Sequence, residues 1–310
     1  EFKGPDARKF LDHIMAGRLP KPGRISLSPM LSYRGKLCGD LTVACLDENE
    51  FMVFGSGAAQ EMHRRWFESH LDKFNLSYSN RSDEYHGLSI AGPNSRKVLE
   101  KIVRDDVSNE KFKFRDSRRM FVGGVPAIIN RISFTGELGY EIYVAPHYQL
   151  KLYEELMEAG KEFNIKPFGG RALMSMRLEK NWGAWTLDYR PDFTAKETGL
   201  DAFINWDKEF IGKESAQKEN SSNKLVPLIV ETNEIDVTNN EAVLNGDQSI
   251  GYVTSGGFAH FVNKSVAFTF VDQKNIKSEN KIQVEINGDL FNCSIIKEPL
   301  YDPSGQKMRS

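Results

Sequence analysis

Lys36-Leu-Cys-Gly-Asp-Leu-Thr-Val-Ala-Cys-Leu46 is the stretch from which the reading of the fold starts. Its β-branched and apolar content is that of a strand. Residues 50–55, Glu-Phe-Met-Val-Phe-Gly, read as its hairpin partner. One residue breaks the pattern. Aspartate is depleted in strands because its side chain competes with the backbone ladder, yet Asp40 sits inside the run. Either it marks a bulge beside Gly39, or the fold holds a carboxylate at the mouth of a site. Residue type alone leaves both readings open, although rule-breaking residues tend to be functional.

Working outward, residues 1–7 read as a strand end and turn feeding a helix over 6–16. This start implies a fragment, or earlier residues outside the numbering. A helix over 58–74 carries Met62, Trp66, Phe67, Leu71 and Phe74 on one face. A strand–turn–helix unit follows over 87–103, with Pro93 near the helix start. Strands are expected over 120–132 and 138–145, and helices over 148–162 and 169–180. Residues 214–224 lack apolar periodicity and read as a polar connection. Beyond them come short strands and turns, with Asn245-Gly246 and Asn287-Gly288 as hairpin signals. A domain boundary is therefore expected near 220, giving a mixed α+β domain over 1–220 and an all-β domain over 221–310.

The chain has 310 residues, 40% of them hydrophobic and 27% charged, with a net charge of −2. That is ample for a folded core and offers no basic excess for nucleic acid. No apolar run approaches the ~18 residues of a membrane helix. Cys38, Cys45 and Cys293 form no C-x-x-C pair, so a reducing compartment is the default. The composition fits bacterial cytoplasm and a mitochondrial matrix equally. The six histidines show no metal-like spacing; His63 and His70 are seven apart rather than four. Phe54-Gly-Ser-Gly-Ala-Ala-Gln60 follows a strand and opens a helix, the context of a dinucleotide turn, but Gln60 replaces the last glycine. A plain glycine-rich turn is the better reading.

Glu179 is the second misplaced carboxylate. Segment 171–180, Arg-Ala-Leu-Met-Ser-Met-Arg-Leu-Glu-Lys, is apolar on several sides and is expected to be buried. Ala172, Met176 and Glu179 share a face. A buried carboxylate needs donors or a cation. Arg171 or Arg177 would make a structural ion pair; a ligand with paired N–H donors is the alternative.

Several motifs now stand in order: Gly35-Lys-Leu-Cys-Gly-Asp-Leu-Thr-Val43, Ile90-Ala-Gly-Pro-Asn-Ser-Arg96, Phe134-Thr-Gly-Glu-Leu-Gly-Tyr-Glu141, Met176-Arg-Leu-Glu-Lys180, Thr194-Ala-Lys-Glu-Thr-Gly-Leu200 and Phe210-Ile-Gly-Lys-Glu214. Over nearly the whole chain the sequence resembles the glycine-cleavage T-protein (aminomethyltransferase) superfamily. Arg177-Leu-Glu-Lys-Asn-Trp-Gly-Ala-Trp185 and Glu298-Pro-Leu-Tyr-Asp302 are most similar to the C-terminal tetrahydrofolate module of dimethylglycine and sarcosine dehydrogenases. The resemblance implies an α+β cloverleaf of subdomains around a central folate channel, the last a small β-barrel. It implies tetrahydrofolate as cofactor, and FAD only if a flavin domain precedes this chain. The implied reaction captures a one-carbon unit from an N-methylated amine to give 5,10-methylenetetrahydrofolate. A stand-alone aminomethyltransferase served by a carrier protein, another T-protein-like demethylase and a non-catalytic folate-binding regulator are the alternatives.

Residue by residue, the resemblance assigns Asp40 to the family's essential aspartate, with Gly39 where an aspartate pair would begin. It assigns Glu179 to the pterin edge. Lys208 stands where the family has an arginine, so a cation is kept without a bidentate fork. Met52 stands in place of a tyrosine. Met30 falls at an apolar pterin contact, and Glu137 and Tyr140 belong to a motif lining the interior. No metal is implied. A carboxylate such as Glu179 can accept adjacent N–H donors of a pterin together, and Asp40 can orient an amine, stabilise developing positive charge or relay a proton.

Overall fold

The stretch around Asp40 becomes one strand of a five-stranded sheet. In chain order its members are Phe2–Lys3 (β1), Arg24–Leu31 (β2), Leu37–Asp47 (β3), Glu50–Phe54 (β4) and Ser77–Tyr78 (β5), hydrogen-bonded as β2-β3-β4-β1-β5. The structure, a computed structural model, describes residues 1–232, 235–276 and 281–310. β3 and β4 form the expected hairpin, and β1 closes antiparallel on the far side of β4. The register shift of the β3–β4 pair falls between Cys45 and Asp47, away from Asp40.

Helix Ala7–Ile14 (α1) buries Phe10, Leu11 and Ile14. The glycine-bearing stretch after β4 runs through a 3-10 turn, Gly57–Ala59, into Gln60–Glu68 (α2). Both neighbours of β4 are antiparallel. The parallel βαβ unit of a dinucleotide site is thus not built around it. α2 stops six residues before the expected end at 74. The Ser69 hydroxyl donates to the carbonyl of Trp66, a side-chain bond that competes with continued helix. Phe74 instead packs edge-on against Phe10, with ring centroids 5.3 Å apart.

A second sheet is built from His86–Ala91 (β6), Ser117–Val122 (β7), Val125–Asn130 (β8) and Gly139–Val144 (β9), in the order β6-β9-β8-β7. The single strand expected over 120–132 is in fact the hairpin β7–β8. Gly123 and Gly124 have φ of 57° and 79°, the conformation that a tight type I′-like turn demands at both central residues. Helices Ser95–Ile102 (α3) and Gln149–Gly160 (α4) complete this layer. Leu99, Phe112, Ile129, Tyr140, Ile142 and Leu152 share its core.

Helix Gly170–Glu179 (α5) follows. Its first turn, including Arg171 and Ala172, is exposed, and only its last turn is buried. The expected polar connection over 214–224 overlaps a short helix, Lys213–Lys218. Six strands then close a barrel: Asn223–Val230 (β10), Ala242–Asn245 (β11), Gln248–Ala259 (β12), Lys264–Asp272 (β13), Ile282–Ile286 (β14) and Asp289–Ile295 (β15). Asn245-Gly246 turns β11 into β12 and Asn287-Gly288 turns β14 into β15. Leu228, Val243, Val253, Val284 and Ile286 fill the barrel. Leu178 of α5 packs outside it with Val266 and Phe268.

The chain divides into two compact units, residues 1–28, 41–168 and 304–310, and residues 29–40 and 169–303. Among the described residues no helix is long and apolar enough to cross a membrane.

Candidate active site

In the second unit, Asp40 is half-buried at the fourth position of β3. Burial raises its carboxyl to about pH 7, against a weaker pull from a backbone hydrogen bond. Removing a carboxylate from water penalises its charged form. Nearby stands Tyr189, 5% exposed. Its hydroxyl is pushed above the usual range, first by burial and then by the charge of Asp40. That hydroxyl accepts the Gly183 N–H at 3.1 Å. A β-carbon on Gly183 would come within 2.3 Å of the Tyr189 ring, so glycine is what lets the ring lie there.

The loop carrying Tyr189 is tied down by its neighbour. Arg177 donates through Nη1 to Asp188 at 2.5 Å and to the carbonyl of Trp182 at 3.0 Å. Asp188 also accepts the Ala184 N–H at 2.9 Å and the hydroxyls of Thr254 at 2.5 Å and Ser255 at 2.7 Å. A buried carboxylate supplied with this many donors is structurally satisfied. The N-terminal end of β3 is held separately, by Leu37 N–H on the carbonyl of Phe193 at 2.8 Å. A capping box then starts the helix Ala195–Thr198: the Thr194 side chain takes the Glu197 N–H and Glu197 answers on the Thr194 N–H.

Glu179 lies at the buried end of α5, 6% exposed. Its partner is not Arg177, which Asp188 has taken, nor Arg171, which is exposed. Glu179 Oε1 accepts the Phe261 N–H at 2.6 Å. Burial raises its carboxyl, outweighing that bond. Met30 is 0% exposed within β2, so its side chain presents no surface here. Lys208 is half-buried after the turn that begins at Asn205.

In the first unit, Met52 joins a cluster with Ile25, Ala44 and Ile128, flanked by Phe54, Tyr85 and Tyr143. Met52, Phe54, His63, Arg81, Tyr85 and Tyr143 line a cavity of about 360 Å³. Strand alternation in β9 sorts the Phe134–Glu141 motif. Tyr140 goes into the apolar core, fully buried and stacked on Phe112 at 5.9 Å. Glu141 and Tyr143 occupy the opposite face. Glu137 precedes the strand and pairs with Lys307 at 3.7 Å.

Glu141 is the residue that reading the sequence passed over. Burial raises its carboxyl, and its bond from the Tyr143 hydroxyl, 2.7 Å long, opposes that shift. The signal was the one that singled out Asp40, a carboxylate inside a strand. Among the described residues no group of His, Cys, Asp and Glu could hold a metal ion.

Comparison with known proteins agrees with this architecture. Residues 1–208 match the GCVT N-terminal domain, and residues 223–302 match the glycine cleavage T-protein C-terminal barrel domain. The chain is 35% identical over 307 residues to the mitochondrial dimethylglycine dehydrogenase of Homo sapiens, covering 96% of this chain and 35% of that protein. The chain thus spans about a third of the length of that relative. It is 29% identical to the aminomethyltransferase of Thermoanaerobacter pseudethanolicus, covering 98% of this chain and 84% of that one. The crystal structure of the glycine cleavage system aminomethyltransferase T of Bartonella henselae superposes with a TM-score of 0.86 at 22% identity, over 97% of this chain and 83% of that one. At that identity the likeness speaks for the fold alone.

Proposed function

Because the chain belongs to the glycine cleavage T-protein family, we propose that it binds tetrahydrofolate and transfers a one-carbon unit to it from an amine donor. The observation that carries the reading is Asp40, a half-buried carboxyl held in a strand and poised near pH 7. A group titrating there can take a proton and return it at neutral pH. A module that only binds has no need of one, which weighs against a regulatory role. Tetrahydrofolate, when bound, supplies the nitrogens that capture the one-carbon unit. The chain's residues would do the rest. Asp40 would orient the donor amine, hold positive charge as it develops and move the proton.

The residues present suit a pterin. Its ring edge carries adjacent N–H donors, and two carboxylates with disfavoured charge, buried Glu179 and half-buried Glu141, could accept them. Family position favours Glu179. Each already takes a hydrogen bond from the protein, Glu179 through Oε1 and Glu141 through Oε2; we favour Glu141 because its partner Tyr143 lines a cavity. By family position alone, Met52 stands where an aromatic ring is expected and Lys208 where a cation is.

For the donor we favour N-methyl demethylation of the dimethylglycine dehydrogenase type, with an aminomethyl group delivered by a carrier protein as the second reading. The 35% identity to dimethylglycine dehydrogenase against 29% to aminomethyltransferase supports that order. FAD would enter only if a flavin domain precedes this chain. Thermal-shift titration tests the ligand: tetrahydrofolate should stabilise the protein, and stabilisation by NAD but not by tetrahydrofolate would refute the reading. Turnover with dimethylglycine or with an aminomethyl-loaded carrier then separates the donors.

A further inference from the structure

We propose that Tyr143 is a positioning residue for Glu141: its hydroxyl fixes one carboxylate oxygen, so that the other is presented to N–H donors on the ring edge of the ligand. This rests on the reading that the protein binds a reduced folate.

The two residues are i and i+2 on β9 and share the face opposite the apolar core. The Tyr143 hydroxyl donates to Glu141 Oε2 at 2.7 Å, and among the described residues this is the one hydrogen bond that the carboxylate receives. The tyrosine ring is itself held. It packs against Phe54 with ring centroids 4.4 Å apart. It also lies close to Gly87, where a β-carbon would come within 2.9 Å of the ring. A ring packed this closely by two neighbours places its hydroxyl in one spot, and the carboxylate bound to it loses rotamer freedom before any ligand arrives. Preorganisation of this kind lowers the ordering cost of binding. Tyr143 also lines the cavity of about 360 Å³ together with Met52.

The bland account is that the bond merely satisfies two buried polar groups. Titration tells the two apart. In register across from Glu141 stand Ser89 on β6 and Asn130 on β8, both uncharged. Tyr143 is the titratable group that bears on it, and its hydrogen bond draws the Glu141 carboxyl down against the effect of burial. Deleting the hydroxyl would therefore raise that carboxyl further. If the ionised carboxylate binds the ligand, affinity falls as pH drops through its titration, and that limb moves to higher pH in the variant.

The experiment is a calorimetric titration of tetrahydrofolate against pH in the intact protein, for wild type, Tyr143→Phe, Glu141→Gln and the double variant. Phenylalanine keeps the ring beside Phe54 and Gly87, and melting curves confirm that each variant folds. Tyr143→Phe should bind about tenfold more weakly at neutral pH, the worth of one hydrogen bond to a charged group, with its acid limb displaced upward. In the Glu141→Gln background the same change should add almost nothing. Wild-type affinity and pH profile in Tyr143→Phe, or an equal loss in both backgrounds, overturns the proposal. Undiminished binding by Glu141→Gln sinks the assignment of Glu141 itself, and failure of wild type to bind tetrahydrofolate sinks the functional reading.

Discussion

Arg177 and Asp188 form an ion pair 2.5 Å long with both side chains out of water, 1% and 0% exposed. The pair joins the last turn of α5 to the loop that carries Tyr189, whose phenol feels the charge of Asp40. Removing one member of a buried pair leaves an uncompensated charge. Asp188→Asn is therefore expected to cost about 3–5 kcal/mol of stability. Urea unfolding measures it, and a loss below about 1 kcal/mol would contradict the buried-pair account.

Gly183→Ala puts a β-carbon 2.3 Å from the Tyr189 ring. The ring has to move, as overpacking forces off-rotamer side chains at roughly 1–3 kcal/mol. A variant as stable as wild type would show that Tyr189 is not confined as described.

Asp40 makes a signed prediction about pH. Its folded carboxyl titrates near 7, against about 3.9 in an unfolded chain. Between those values the folded state holds a proton that the unfolded state has lost, so stability falls as pH rises through the window. Asp40→Asn removes the penalty. The variant should match wild type near pH 4 and exceed it above pH 7, by about 1–2 kcal/mol, less than the full shift because the side chain is only half-buried. Chemical denaturation at pH 4.5 and pH 8 (roughly the two sides of that window) reads the divergence directly.

The same substitution is expected to lower the rate of one-carbon transfer by ~10²–10³. Tetrahydrofolate affinity should stay within about tenfold, or ~1.4 kcal/mol. Single-turnover assays with the donor supplied decide it. An unchanged rate would leave Asp40 without a catalytic role.

Glu179→Gln and Glu141→Gln form a comparison. Loss of a charged acceptor from a ligand's N–H edge costs about 1–3 kcal/mol of binding. An amide at 179 can still take the Phe261 N–H through its oxygen, so the fold should survive. We expect both variants to bind tetrahydrofolate more weakly and Glu141→Gln to be the weaker of the two. Titration calorimetry that shows no loss in either would remove carboxylate recognition of the pterin.

By itself the sequence determined what local rules control. Strand content and the alternation of 36–46, the Asn287-Gly288 turn and the apolar period of 149–160 set β3, the β14–β15 turn and α4 to within a few residues. The motif order pointed to the family, and the misplaced aspartate at 40 was visible as a broken rule. Other features needed the tertiary structure. Alternation says that Tyr140 and Glu141 face opposite ways, but not which face the core will cover; β6, β8 and Phe112 decide that, and they are distant in sequence. Nearness in sequence offered Arg171 or Arg177 as a partner for Glu179, yet Arg171 is exposed and Asp188 takes the Arg177 guanidinium from a separate loop. The titration of Asp40 near neutral pH is likewise absent from any local pattern. It arises from desolvation, and desolvation is the summed effect of every group that excludes water from that carboxylate, a quantity that exists only once the chain has folded.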